Sequence, residues 1–321
     1  MRVLTPLLAL ASAAVAIFPT KLLYQSPTGL FIENIAVRPN SKLLLTSVVS
    51  PTLHTFDPTI VNSTFDEVVT FPNATGLTGI AEYRRDVYAV VASILDVEAL
   101  SEKPGSVVIW SVDLTSGVPK IRAAACFPAT ITPVLVNGLT AVPGNPDIVL
   151  AAESSLGGVY EINLRTGTIR RKFQDVLMGP TPPTPLGING LHVHNGFLYF
   201  TNSVRGALYR IPLRGGTIET LGDVSNFGGI GAALYDDFAI DSEGRVWVAL
   251  NTGALQLFHR ARNGTWVQET VVGDPAGSPV LVGPTSGAFG REGPGGRRTQ
   301  SLYVTSSSGQ LVAVDTSHRI Q

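Results

Sequence analysis

Six times along this 321-residue chain the same order of short signals recurs, and that repetition restricts the fold more than any other feature. The units begin at Glu33-Asn34-Ile35-Ala36-Val37, Thr78-Gly79-Ile80-Ala81-Glu82, Asn137-Gly138-Leu139-Thr140-Ala141, Asn189-Gly190-Leu191-His192-Val193, Asp236-Asp237-Phe238-Ala239-Ile240 and Thr285-Ser286-Gly287-Ala288-Phe289. Their first residues are 45, 59, 52, 47 and 49 positions apart. Each start leads into a turn such as His194-Asn195-Gly196 or Asp241-Ser242-Glu243-Gly244, where Gly, Asn and Asp supply the backbone angles of a tight reversal. An apolar run follows every turn, for example Leu43-Leu44-Leu45-Thr46, Leu198-Tyr199-Phe200-Thr201 and Val246-Trp247-Val248-Ala249. Such β-branched and aromatic runs bounded by turns read as buried strands. Third strands such as Gly158-Val159-Tyr160-Glu161-Ile162 come next, and turns such as Arg165-Thr166-Gly167 lead to a fourth.

Four strands in each unit, repeated six times without a long amphipathic helix, predict an all-β, six-bladed β-propeller. A parallel α/β sheet would need crossover helices. The sixth unit reaches the C-terminus after its third strand. Lys21-Leu22-Leu23-Tyr24-Gln25 is therefore expected to supply the outer strand of that blade, closing the ring and removing an open edge. The propeller domain is expected to span residues 18–321.

Composition agrees with a turn-rich β chain. Charged residues make up 15%, against roughly 25% in an ordinary soluble domain, while 33 Gly and 22 Pro serve the turns. With 23 Lys and Arg against 24 Asp and Glu there is no field to attract a polyphosphate, which excludes a nucleic-acid binder. Arg2 followed by apolar residues 3–16, ending in Ala14-Val15-Ala16, reads as a signal peptide over residues 1–16; the run is shorter than the roughly 20 residues of a membrane span. Sequons at Asn62, Asn73 and Asn263 agree with a secreted or secretory-lumen chain bearing glycan. The lone Cys126 is expected to be a small buried apolar residue.

The innermost strand of each blade starts at one rim of the central channel, so Glu33, Thr78, Asn137, Asn189, Asp236 and Thr285 should face one another. One Glu, one Asp and two Asn on an axis offer hard oxygen donors suited to calcium or another oxygen-preferring cation, or else these residues solvate a water-filled channel or cap strand ends.

At these positions the chain resembles the regucalcin, gluconolactonase and luciferin-regenerating-enzyme group of six-bladed propellers. The carrying residues are Glu33 in Ile32-Glu33-Asn34, Asn189 in Asn189-Gly190-Leu191, and Asp236 five residues before Asp241 in Ile240-Asp241-Ser242-Glu243-Gly244. The resemblance implies that Glu33, Asn189 and Asp236 bind one divalent metal, with Asn137 beside it; no organic cofactor is expected. The usual Pro-Asp-Gly start of the fifth blade is here Tyr235-Asp236-Asp237-Phe238, and a Gly-Pro context after the first-blade Glu is missing. With the residue 1–16 segment, these departures look like a secreted fungal branch that includes hetero-Diels-Alderases joining a tropolone quinone methide to a sesquiterpene alkene.

Loops on the same rim are apolar, and Ile94, Leu95, Leu177, Met178, Phe227, Ile230, Val280 and Leu281 either form a mouth for a terpenoid-like or polyketide-like small molecule or pack against neighbouring blades. Glu153, His192 and Asn137 are the expected catalytic groups, Glu153 and His192 as acids; His194 belongs to a turn at the opposite rim. No strand-turn-helix phosphate loop and no Gly-x-Ser-x-Gly elbow is present. Three functions fit: a hetero-Diels-Alderase, a metal-dependent lactone hydrolase, or a binding propeller without chemistry.

Overall fold

The computed structural model describes residues 18–227, 234–291 and 300–317, with the side chains of residues 226 and 227 left out. The expected signal peptide and Ile230 lie outside the described residues, as does the side chain of Phe227.

Six four-stranded antiparallel sheets form the blades of a propeller. Five of them run in sequence order from the channel outward. They start with Ile32–Val37, Gly76–Arg84, Val136–Val142, Ile188–His194 and Tyr235–Ile240. In the sixth, Pro284–Phe289, Ser301–Ser306 and Gln310–Asp315 are followed at the outside by Thr20–Gln25, which pairs antiparallel to Gln310–Asp315 with Thr20 opposite Val314 and Gln25 opposite Gln310. The only helical turn among the described residues is Val224–Phe227.

Burial follows from the order of strands within a blade. Second strands such as Leu43–Ser47 and Val246–Leu250 are covered on both faces by neighbouring blades, so they are buried throughout and mostly apolar. Outer strands meet solvent and carry the polar side chains, as in Asp66–Thr70 and Thr168–Gln174. The apolar clusters lie between blades. Phe18 is fully buried in one of them, its ring 5.0 Å from that of Trp247 in an edge-on contact.

Cys126 departs from the expectation of burial. A bulge opposite Ile109 and Trp110 places Ala124 and Ala125 inside, so Cys126, at the end of Lys120–Cys126, faces solvent.

Every innermost strand breaks register at the same place. The pairing skips Glu33-Asn34, Thr78-Gly79, Asn137-Gly138, Asn189-Gly190, Asp236-Asp237 and Thr285-Ser286. Backbone groups freed by these bulges need partners, and hydroxyls supply them. Thr46 Oγ1 accepts from Asn34 N at 3.0 Å and donates to Thr78 O at 2.7 Å, tying blade one to blade two. Thr201 Oγ1 does the same between blades four and five, accepting from Gly190 N at 3.0 Å and donating to Asp236 O at 2.7 Å. Thr78 Oγ1 donates to Val136 O, Ser154 Oγ to Ile188 O and Thr285 Oγ1 to Ile32 O.

Candidate functional site

A cavity of about 240 Å³ opens at one end of the channel, and Glu33, Thr78, Asn137, Asn189, Asp236 and Thr285 all line it. These are the first residues of the six register breaks, so the bulges turn one polar side chain per blade toward the axis. Around them the walls are apolar: Phe31, Val48, Leu95, Val97, Leu100, Leu135, Leu186 and Leu234. Asn251 fixes Leu234 by exchanging two hydrogen bonds with its backbone, at 2.7 and 3.0 Å.

Part of the wall is a short hairpin, Leu95–Asp96 paired with Ser101–Glu102, which brings Leu95, Asp96, Val97 and Leu100 to the cavity. Leu100 holds a left-handed φ of 49°, an uphill conformation for Leu that the surrounding contacts must sustain. At the hairpin base, Glu102 is buried. It accepts Val136 N at 2.7 Å, and its own N–H donates to Val134 O at 2.9 Å.

Glu153 is fully buried but does not line the cavity. Its carboxylate accepts the amides of Leu135, Ser155 and Leu156 at 3.1, 2.9 and 2.8 Å. Together with Glu102 it holds the backbone leading into Asn137, so its carboxylate is turned away from the cavity into which an acid was expected to reach. His192 lies below the cavity. Its ring meets Phe238 edge-on at 4.7 Å, and Nε2 stands 3.3 Å from Asp237 Oδ1.

Of the expected mouth residues, Leu95 lines the cavity. Met178 does not: it is fully buried in the cluster between blades three and four, where its carbonyl accepts Ile188 N at 2.8 Å. Leu281 is likewise buried, and Ile94 faces a separate groove beside Trp110. Asn62, Asn73 and Asn263 all occupy exposed turns.

The second residues of the breaks form a further layer that the sequence reading missed. Blades two, three and four contribute Gly79, Gly138 and Gly190, while blades one, five and six contribute Asn34, Asp237 and Ser286. A Cβ on Gly190 would collide with the Asp237 carboxylate, and one on Gly79 with the Asn137 carbonyl. Ser286 Oγ stands 3.1 Å from Asn34 Oδ1 and 3.4 Å from Asp237 Oδ2, and Asp237 Oδ1 accepts Phe238 N at 2.8 Å. The Asp-Asp doublet was the available signal for Asp237.

Carboxyl chemistry at the channel is perturbed. Burial, and then the charge of Asp237, push Glu33 up to about 7. Burial also holds Asp236 well above the usual carboxylate range, reinforced by the charges of Glu33 and Asp237, while a hydrogen bond from Asn189 pulls the other way. Asp236 nevertheless keeps some surface open to the cavity. Two such carboxyls together demand a proton or a cation.

The donor set fits a cation. Asn137 Oδ1 and Asn189 Oδ1 are buried and accept no hydrogen bond, while Asn189 Nδ2 donates to Ser203 Oγ at 2.9 Å. Two carboxylates and two orphaned amide oxygens are the hard donors that calcium prefers. Among the described residues, no three His, Cys, Asp or Glu side chains gather as a metal-binding group.

No protein-family model matches the chain. In sequence it is similar to a candidate hetero-Diels-Alderase, asR5, from Sarocladium schorii, at 29% identity over 96% of this chain and 82% of that protein. A candidate hetero-Diels-Alderase from Phoma sp is 26% identical over 93% of this chain and 89% of the relative. In fold it is similar to regucalcin from Agrobacterium tumefaciens, with TM-score 0.63 and 17% identity over 93% of this chain and 95% of that one. A luciferin-regenerating enzyme gives TM-score 0.63 and 18% identity over 92% and 95% of the two chains. The chain thus resembles candidate hetero-Diels-Alderases in sequence and the regucalcin-type six-bladed propellers in fold.

Proposed function

We propose that the chain is an enzyme that builds a ring on a small molecule by hetero-Diels-Alder addition inside the channel cavity. The observation that carries this reading is the union of an oxygen- and amide-bearing floor, Glu33, Asn137, Asn189 and Asp236, with walls of Phe31, Leu95, Leu100, Leu135 and Leu186. A hetero-Diels-Alder reaction joins a component bearing a heteroatom to an alkene, and the floor and walls match those two demands. The names of the two sequence relatives support the same chemistry.

The proposed substrates are a hydroxymethyl tropolone and a sesquiterpene alkene. A protonated carboxyl of the Glu33–Asp236 pair donates its proton to the hydroxymethyl oxygen. The carbon–oxygen bond breaks and water leaves. The ionised partner takes the ring hydroxyl proton, leaving a neutral o-quinone methide and a pair that again holds one proton. Raised carboxyl pKa values are what such an acid needs near neutral pH. The walls then align the alkene, and alignment supplies the larger share of catalysis: up to about 7–11 kcal/mol in well-oriented systems, against about 3–5 kcal/mol for one acid-base group.

A second reading, a metal-dependent lactone hydrolase, is favoured by the orphaned oxygens of Asn137 and Asn189. Glu33, Asp236, Asn189 and Asn137 would hold the cation, which when bound polarises a substrate oxygen. The deciding assay offers purified protein a quinone-methide precursor with a humulene-type alkene, and separately a simple lactone, each with and without chelator. Cycloadduct above the uncatalysed background is expected. Chelator-sensitive lactone opening with no cycloadduct would overturn the first reading in favour of the second.

A further inference from the structure

A groove of about 390 Å³ lies on the side of blade two, outside the channel, and an N-glycosylation sequon borders it. Its walls include Pro72, Asn73, Ile94, Lys103, Pro104 and Trp110. Asn73 is exposed at the tip of a turn, in a left-handed conformation with φ of 55°, and its side chain makes no hydrogen bond with other described residues. The Asn263 side chain, by contrast, is tied back to Thr265, accepting its N–H at 3.1 Å and its hydroxyl at 2.7 Å. Trp110 is half-buried and packs against Phe71 at 5.6 Å between ring centroids. An amphipathic indole beside backbone and lysine polar groups suits a pyranose ring, which has one apolar C–H face and a rim of hydroxyls.

We propose that Asn73 carries an N-linked glycan whose first sugars seat in this groove and brace the hairpin at the cavity mouth. The groove wall and the hairpin base are one hydrogen-bonded unit. Thr75, the third sequon residue, accepts Leu95 N at 2.9 Å through Oγ1 and donates to Leu95 O at 3.3 Å. Lys103 N donates to Ile94 O at 2.9 Å, and Ser106 Oγ accepts Ile94 N at 3.1 Å while donating to Lys103 O at 2.7 Å. A sugar lying on Ile94, Pro104 and Trp110 covers the outer side of the segment whose inner side carries Leu95, Val97 and Leu100 to the cavity. The bulk of a glycan would otherwise extend into solvent, and the covalent tether at Asn73 keeps its proximal end at the groove.

The test is expression of the full chain in a eukaryotic secretory host, peptide mass mapping, and hydrogen exchange on three forms: the glycosylated protein, the same protein after enzymatic glycan release, and Asn73→Asp. Aspartate tolerates the left-handed turn, and the released form has already folded, so neither comparison depends on recovering a damaged fold. The expected result is glycan at Asn73, with amides of residues 94–106 exchanging several-fold faster after release and in Asn73→Asp. Asn263→Gln should leave those rates unchanged. An unmodified Asn73 in the recovered chain, or a glycan whose removal leaves exchange at residues 94–106 unaltered, overturns the proposal.

Discussion

The Glu102 carboxylate accepts the amide of Val136 at 2.7 Å, joining the hairpin over the channel mouth to the strand that presents Asn137 to the cavity. Glu102 is buried and its carboxyl is pushed up to about 7, chiefly by loss of water and secondarily by the charge of Glu153, against the hydrogen bond from Val136. Its folded-state value thus lies above its ordinary 4.5, so the native state holds the proton more tightly. The stability tied to this group is complete below about 4.5, declines as pH rises toward about 7, and is gone above it. Urea unfolding at a series of pH values should show that decline in the wild type and a shallower one in Glu102→Gln. An identical slope in the two proteins would contradict it.

Glu153 separates a positioning role from an acid role. Glu153→Gln keeps one acceptor oxygen and strands at least one buried amide among Leu135, Ser155 and Leu156, a loss of about 1–3 kcal/mol per unsatisfied group. Stability should fall by that amount, while the pH dependence of turnover keeps its shape. A turnover profile that loses its alkaline limb, the fall in rate as a general acid deprotonates, at unchanged stability would restore Glu153 as the proton donor.

The hydroxyl links between blades make a sharper structural prediction. Thr201→Val removes the donor to Asp236 O and the acceptor of Gly190 N while nearly preserving shape. The buried Gly190 amide and the half-buried Asp236 carbonyl lose their partner, so unfolding should become easier by up to about 6 kcal/mol, measured by denaturant titration. Gly190→Ala should be at least as damaging, because its Cβ meets the Asp237 carboxylate inside the channel and Asp237 is hemmed in by Phe238 N and Ser286.

For turnover, Glu33→Gln should lower the rate by about 10²–10⁴-fold if Glu33 shares the acid role, and it should flatten the pH response near 7. Leu135→Trp places bulk in the wall beside Asn137 and should cost as much or more, because misaligned reactants lose the greater part of the rate enhancement. Steady-state kinetics of the two variants, checked against their unfolding midpoints, distinguish confinement from acid chemistry. A wall variant as fast as wild type would argue against confinement.

The sequence by itself determined the repeat, the number of blades and the six polar starts. Turn chemistry and two-residue alternation are local properties, and a six-fold pattern admits few ways to bury its strands. It also marked Glu33, Asn137, Asn189 and Asp236, since a repeat position maps onto one radius of the channel, and those residues do share one cavity. Only the tertiary structure decided what surrounds them. Met178 and Leu95 are both apolar residues of rim loops; one turned into an interblade core and the other toward the axis, because loop course depends on contacts far apart in the chain. The role of Glu153 followed the same logic: its three amide partners lie at residues 135, 155 and 156, a convergence visible only once the first two strands of blade three are paired. Asp237 escaped notice because a register break places two successive side chains in the channel, whereas an unbroken strand would send them to opposite faces.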